Sequence, residues 1–61
     1  MRLLSSREAA SYLHISVKAL QALRERGTVK AIKFGSRFLY RPETLDAVIA
    51  EYEKTGRDLN A

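Results

Sequence analysis

The sequence has no cysteine, a single histidine and no long apolar run. Without cysteine, neither a disulfide nor a cysteine-bearing zinc site can staple the chain. One histidine, His14, excludes any multi-histidine metal site. No stretch approaches the ~20 apolar residues of a membrane span, and the N-terminus shows no apolar segment of the signal-peptide type. A reducing, cytoplasmic setting fits that pattern. Internal repeats, linkers and low-complexity segments are missing as well. Sixty-one residues allow one domain, residues 1–61. A domain this small buries only about 60% of its unfolded surface, so its core is thin.

Catalytic patterns are missing too. No recognisable motif sets a nucleophile beside His14, which reads as a surface or turn histidine. Gly27 and Gly35 are too far apart for a phosphate-cradling loop and read as a helix end and a hairpin tip. The carboxylates near the C-terminus spread along a solvent face instead of pairing across a cleft. The expectation is therefore a non-enzyme with no catalytic residue, metal, cofactor or small-molecule ligand.

Acidic residues are scarce over most of the chain. Residues 1–41 hold nine Lys/Arg against two Glu, a charge of +7, whereas residues 42–61 hold two Lys/Arg against five Asp/Glu, a charge of −3. A basic region of this kind is the electrostatic footprint of a nucleic-acid binder. On charge alone, an ordinary solvated surface fits equally well.

The basic region is organised around residues 5–27, SSREAASYLHISVKALQALRERG. Ser5 and Glu8 have the spacing of a capping box, which satisfies two free amides where a helix starts. Leu4, just before it, sits like the outer half of a hydrophobic staple, and residues 1–4 read as a short lead-in. The first helix is expected over about residues 6–13. Ala9, Ala10 and Leu13 share one face, and Tyr12 lies at its edge, partly buried with a wet hydroxyl. His14-Ile15-Ser16 breaks the pattern, and Ser16 is a good N-cap for a second helix over residues 17–26. Leu20 and Leu23 point that helix inward, Ile15 packs from the turn, and Gly27 can end the helix in a left-handed conformation. Two helices with a three-residue joint describe a helix-turn-helix, whose second helix can enter a DNA major groove.

Val17, Lys18, Gln21, Ala22 and Glu25 fall on the face opposite the leucines. Lys suits the acceptors of guanine and Gln the paired donor and acceptor of adenine. Lys18 and Gln21 are thus the expected base readers, with Ser16, Val17, Ala22 and Glu25 flanking them. A plain solvated face would carry the same residues.

Val29 is expected in the core. Residues 31–34 and 37–40 then form two β-rich runs around Gly35-Ser36, a hairpin signal with a type II′ or I′ turn. Ile32 and Phe34 share one face, with Lys33 on the other. Phe38 and Tyr40 oppose Arg37 and Leu39, and both of those faces carry apolar residues, so the inward one is ambiguous. Lys33 and Arg37 flank the tip. They either blunt an exposed strand edge or, beside a helix-turn-helix, form a wing in which Arg37, supported by Lys33 and Ser36, grips a minor groove or its phosphates. Arg24, Arg26 and Arg41 lie beside the helix end and the ribbon and are expected to make backbone contacts or structural pairs.

Arg41-Pro42-Glu43 opens a third helix, since Pro is free of cost at the first helical position and Glu43 suits the helix dipole. Leu45, Val48, Ile49 and Tyr52 form its apolar stripe, and Gly56 can end it. Residues 57–61 read as a frayed tail. The expected fold is mainly α with a small β-hairpin, an α+β winged helix-turn-helix in the order α-α-β-β-α.

Taken together, Leu3-Leu4-Ser5, Glu8-Ala9-Ala10, Ile15-Ser16, Gly27, Lys33-Phe34-Gly35 and Leu45 carry a resemblance. Over roughly residues 3–52 the chain resembles the excisionase-family winged helix-turn-helix domain, a small relative of the MerR-type regulator DNA-binding domain. One departure is His14, where the family usually has Gly. A non-glycine there is strained if its φ is positive, although His tolerates this better than most residues. The resemblance implies a recombination directionality factor of a phage or integrative element, acting in the cytoplasm of a bacterial host. Such a protein binds repeated sites on attachment-site double-stranded DNA, with protomer–protomer contacts and cooperativity, and bends it so that an integrase can excise the element. A small transcriptional regulator on the same fold, or a protein-interaction module, stays open.

Overall fold

A computed structural model describes residues 2–56. The element order is β1 (Leu4–Ser5), α1 (Ser6–Tyr12), α2 (Val17–Glu25), β2 (Ile32–Phe34), β3 (Arg37–Tyr40) and α3 (Pro42–Thr55). The fold is α+β, with the expected helices and hairpin in the expected order and one addition at the front. The lead-in is a strand. Leu4 pairs with Tyr40 and Ser5 with Leu39, so the hairpin becomes a three-stranded antiparallel sheet in the order β1-β3-β2. Two residues are too few to show an alternating pattern, and the same Ser5 that ends the strand caps the next helix. The expected frayed tail, residues 57–61, lies outside the described residues.

The local chemistry explains each boundary. Ser5 Oγ accepts from the Glu8 amide at 3.2 Å, and the Ser5 amide donates to Glu8 Oε1 at 2.9 Å, which completes the capping box. That backbone donor, aided by Arg2 at 3.6 Å, holds the Glu8 carboxyl below its ordinary pKa. At the other end of α1, the His14 amide donates to the Ser11 carbonyl and the Ile15 amide to that of Ala10. This is a Schellman motif, which requires a left-handed residue after the cap. His14 fills that position with φ 58°, so the backbone is strained at a place that glycine would adopt freely. The end of α2 repeats the arrangement with Gly27 at φ 81°, where the amides of Gly27 and Thr28 donate to Arg24 and Leu23. Helix α3 begins on Pro42 and stops at Gly56, also left-handed.

The core joins Leu4, Ala9, Ala10, Leu13, Leu20, Leu23, Val29, Tyr40, Leu45, Val48 and Tyr52. Ala9 and Ala10 are small enough to let α2 approach α1 closely. The sheet resolves the ambiguity of its faces. Lys33 pairs with Phe38 and Leu4 with Tyr40, so these four share one face, and Tyr40 buries on it. Ile32, Phe34, Arg37 and Leu39 turn the other way, leaving Phe34 58% exposed. Gly35 has φ 59° and Ser36 a negative φ, which selects the type II′ turn. The stripe of α3 is narrower than its spacing suggests, because Ile49 is 38% exposed. Tyr12 is also exposed, but its hydroxyl donates to the Asp46 carboxylate of α3.

Candidate nucleic-acid interface

Helix α2 is anchored by its leucines and capped at its start by Ser16, whose Oγ accepts from the Ala19 amide at 3.0 Å. The work of Ser16 is thus visible as a cap. With Leu20 and Leu23 fully buried, helical geometry turns the remaining positions outward. Val17, Lys18, Gln21, Ala22 and Glu25 are all exposed on that face. Val17 is 46% exposed, a sizeable apolar surface for the first turn of a helix. Gln21 Nε2 donates to Glu25 Oε2 at 3.3 Å along the helix, which orients the amide.

The wing stands beside this face. Lys33, Gly35, Ser36 and Arg37 are exposed around the turn. Gly35 has open space about it, so the tip is slim. Arg37 shares the outer sheet face with Phe34, whereas Lys33 points to the inner one.

The three flanking arginines separate. Arg24 is half-buried, and its guanidinium lies 3.8 Å from the centroid of the Phe38 ring. Lys33 Nζ approaches the same ring at 5.7 Å. Helix α2 and the hairpin are therefore linked through Phe38. A groove of about 240 Å³ runs between them, lined by Ser6, Val17, Gln21, Arg24 and Phe38 among others. Arg26 is the exposed C-cap residue of α2. Arg41 lies at the end of β3 remote from the turn, where its carbonyl accepts from the amides of Thr44 and Leu45 at the start of α3. The structure thus brings Arg24 to the wing and leaves Arg41 away from its tip.

Sequence reasoning missed Phe38 as a contributor to this surface. A signal existed: a two-residue turn at Gly35-Ser36 dictates that Lys33 faces Phe38 across the hairpin. Among the described residues, no group of His, Asp or Glu is arranged to hold a metal ion, and no helix is long and apolar enough to cross a membrane. A family model described as a helix-turn-helix domain matches residues 3–52. No curated protein and no solved structure matches the chain.

Proposed function

The chain belongs to the helix-turn-helix domain family, and we propose that it is a sequence-specific binder of double-stranded DNA acting as an excisionase, a recombination directionality factor. The observation that carries the DNA-binding reading is the juxtaposition of an exposed recognition face with a basic wing. Lys18 and Gln21 stand on that face and Arg37 at the tip beside it. In this reading α2 enters a major groove. There Lys18 donates to guanine acceptors and Gln21 meets adenine, with Val17, Ala22 and Glu25 beside them. Arg37 grips the adjacent minor groove or its phosphates, supported by Lys33 and Ser36. Helix α3, which carries four acidic residues, stays on the side away from the DNA.

The excisionase role rests on the resemblance of the motifs between Leu3 and Leu45. Protomers bind repeated sites on attachment-site DNA cooperatively and bend it, in the cytoplasm of a bacterial host. Bending 20–30 bp costs on the order of 1–6 kcal/mol, which several protomers can share. The bent array recruits an integrase, and the chain itself carries no catalysis.

Footprinting on the attachment-site DNA of the host element, with and without its integrase, tests this. The expected result is protection of adjacent repeats that strengthens integrase occupancy. Protection confined to a promoter, indifferent to integrase, points instead to a transcriptional regulator. The absence of any salt-sensitive protection leaves a protein-interaction module as the better reading, because phosphate contacts always release counterions.

A further inference from the structure

We infer that the groove between α2 and the wing is a seat for a single DNA phosphate, held by Arg24, with Phe38 as the residue that positions its guanidinium. The inference rests on the DNA-binding reading and assigns it a contact site.

A recognition helix in a major groove and a wing in the adjacent minor groove must straddle the sugar–phosphate strand that divides those grooves. Whatever lines the cleft between helix and wing faces that strand. In this chain the cleft contains Arg24 from α2 with Phe38 from β3 at its wall, while Lys33 from β2 approaches the same ring at 5.7 Å without lining the cleft. Arg24 and Phe38 come from different elements, so their contact is a tertiary feature and not a by-product of helical spacing.

Their partners make the point sharper. Among the described residues, neither Arg24 nor Lys33 has a carboxylate within salt-bridge distance. Two like charges against one ring, without an acid between them, raise the local positive potential, and an incoming anion relieves it. The ring contributes its negative π face, which holds a guanidinium flat and in place. A long side chain that is already ordered loses less conformational freedom when it binds. Ser6 completes the wall, its hydroxyl donating to the Phe38 carbonyl at 3.5 Å and tying the start of α1 to β3.

The test measures affinity for mixed-sequence duplex DNA against salt concentration, alongside thermal melting, for the unaltered chain and four variants. One lost phosphate contact lowers the slope of log K against log salt by about 0.9, which is roughly an eight-fold loss at 0.1 M relative to 1 M. Arg24→Ala should show that full loss. Phe38→Leu, which keeps apolar bulk against the core, should show part of it while melting cooperatively. Phe38→Tyr should restore the unaltered slope. Adding Arg24→Ala to Phe38→Leu should cost no more than Arg24→Ala alone.

An unchanged slope in Arg24→Ala, or losses from Arg24 and Phe38 that add in full, overturns the seat. Should Phe38→Leu fail to fold, Arg24→Ala decides alone: a slope lowered by one contact supports the seat and an unchanged slope overturns it. Binding that depends on salt but ignores Arg24 and Phe38 overturns the seat alone. No binding by the unaltered chain overturns the seat and the DNA-binding reading together.

Discussion

Helices α2 and α3 solve the same packing problem and present opposite surfaces. Each buries a short apolar stripe in one core, Leu20 and Leu23 from α2, and Leu45, Val48 and Tyr52 from α3. Each ends on a left-handed glycine. Outside, they diverge. Helix α3 exposes Glu43, Asp46, Glu51 and Glu53. Helix α2 exposes Val17, Lys18, Gln21 and Ala22, with its acid Glu25 held by Gln21. Stability demands only the inner stripes, so the outer difference is set by something else. On the DNA-binding reading proposed above, this asymmetry would draw a polyanion to the α2 side and away from the α3 side before any specific contact forms.

The strongest challenge to this comparison is to the shared core. Leu20→Ala and Leu45→Ala remove side chains that are 1% and 0% exposed. Each should cost ~2–5 kcal/mol, a large share of what a small domain has, read by chemical or thermal denaturation. Similar losses on both sides uphold the idea that the helices differ only outside. A mild effect at Leu20 would mean that α2 is held mainly by its surroundings.

The next test exchanges the outer faces. Gln21→Ala should relax sequence preference at one base pair by ~1–3 kcal/mol, measured by competition among single-position site variants. Glu51→Ala on α3 should leave the preference unchanged. A uniform fall in affinity for every sequence after Gln21→Ala would remove Gln21 from the set of base readers.

How far this surface was legible in the sequence depends on the range of the interaction. The caps at Ser5 and Ser16, the Gly27 and Gly56 ends and the inward leucines follow from neighbours within a turn, and they stand as read. The positive φ of His14 is open to suspicion only through the resemblance, which sets Gly at that turn, and the structure gives it as 58°. Strand β1 does not follow from its neighbours, because Leu4-Ser5 becomes a strand only through Tyr40 and Leu39, thirty-odd residues away. Nor does the inward face of β3, where both alternations carry apolar residues and only the position of the helices decides. The Arg24–Phe38 contact is of this second kind. Each residue borders an apolar stripe, but their meeting is a property of how α2 sits on the sheet. The readings of Lys18, Gln21 and Arg37 as contacts depend on DNA itself.

A smaller effect separates the wing tip from the rest of the basic half. Arg37→Ala should lower the salt slope by about 0.9 without shifting the melting temperature, because the side chain is exposed. Arg37→Lys should keep the slope and lose part of the affinity, since an ammonium is more strongly hydrated than a guanidinium and fits a narrow minor groove less well. Arg41→Ala, at the far end of β3, should change the slope less than Arg37→Ala does. Equal changes at both positions would extend the basic contact along the whole strand.

The smallest effect lies where the two surfaces meet. The Tyr12 hydroxyl of α1 donates to the Asp46 carboxylate of α3, joining the basic half to the acidic one. That hydrogen bond, with some desolvation and the nearby Asp46 and Glu43 charges, raises the Tyr12 pKa above its ordinary value of 10.0. The sign follows from which form is favoured. The folded chain holds the phenol proton more tightly than the unfolded chain does, so the contribution is fully present below the unfolded pKa. It is lost as the pH rises through the higher folded value. At neutral pH Tyr12→Phe should therefore melt slightly below the unaltered chain, and the gap between them should close in strong alkali. Ultraviolet titration should find Tyr12 ionising later than a free phenol, a step that should vanish in Tyr12→Phe and move earlier in Asp46→Asn. DNA affinity at neutral pH should stay unchanged in Tyr12→Phe, because the bond lies on the seam and not on the α2 face. A fall in affinity with the fold intact would show that the acidic half reaches the recognition helix through α1, and the two surfaces would no longer be independent.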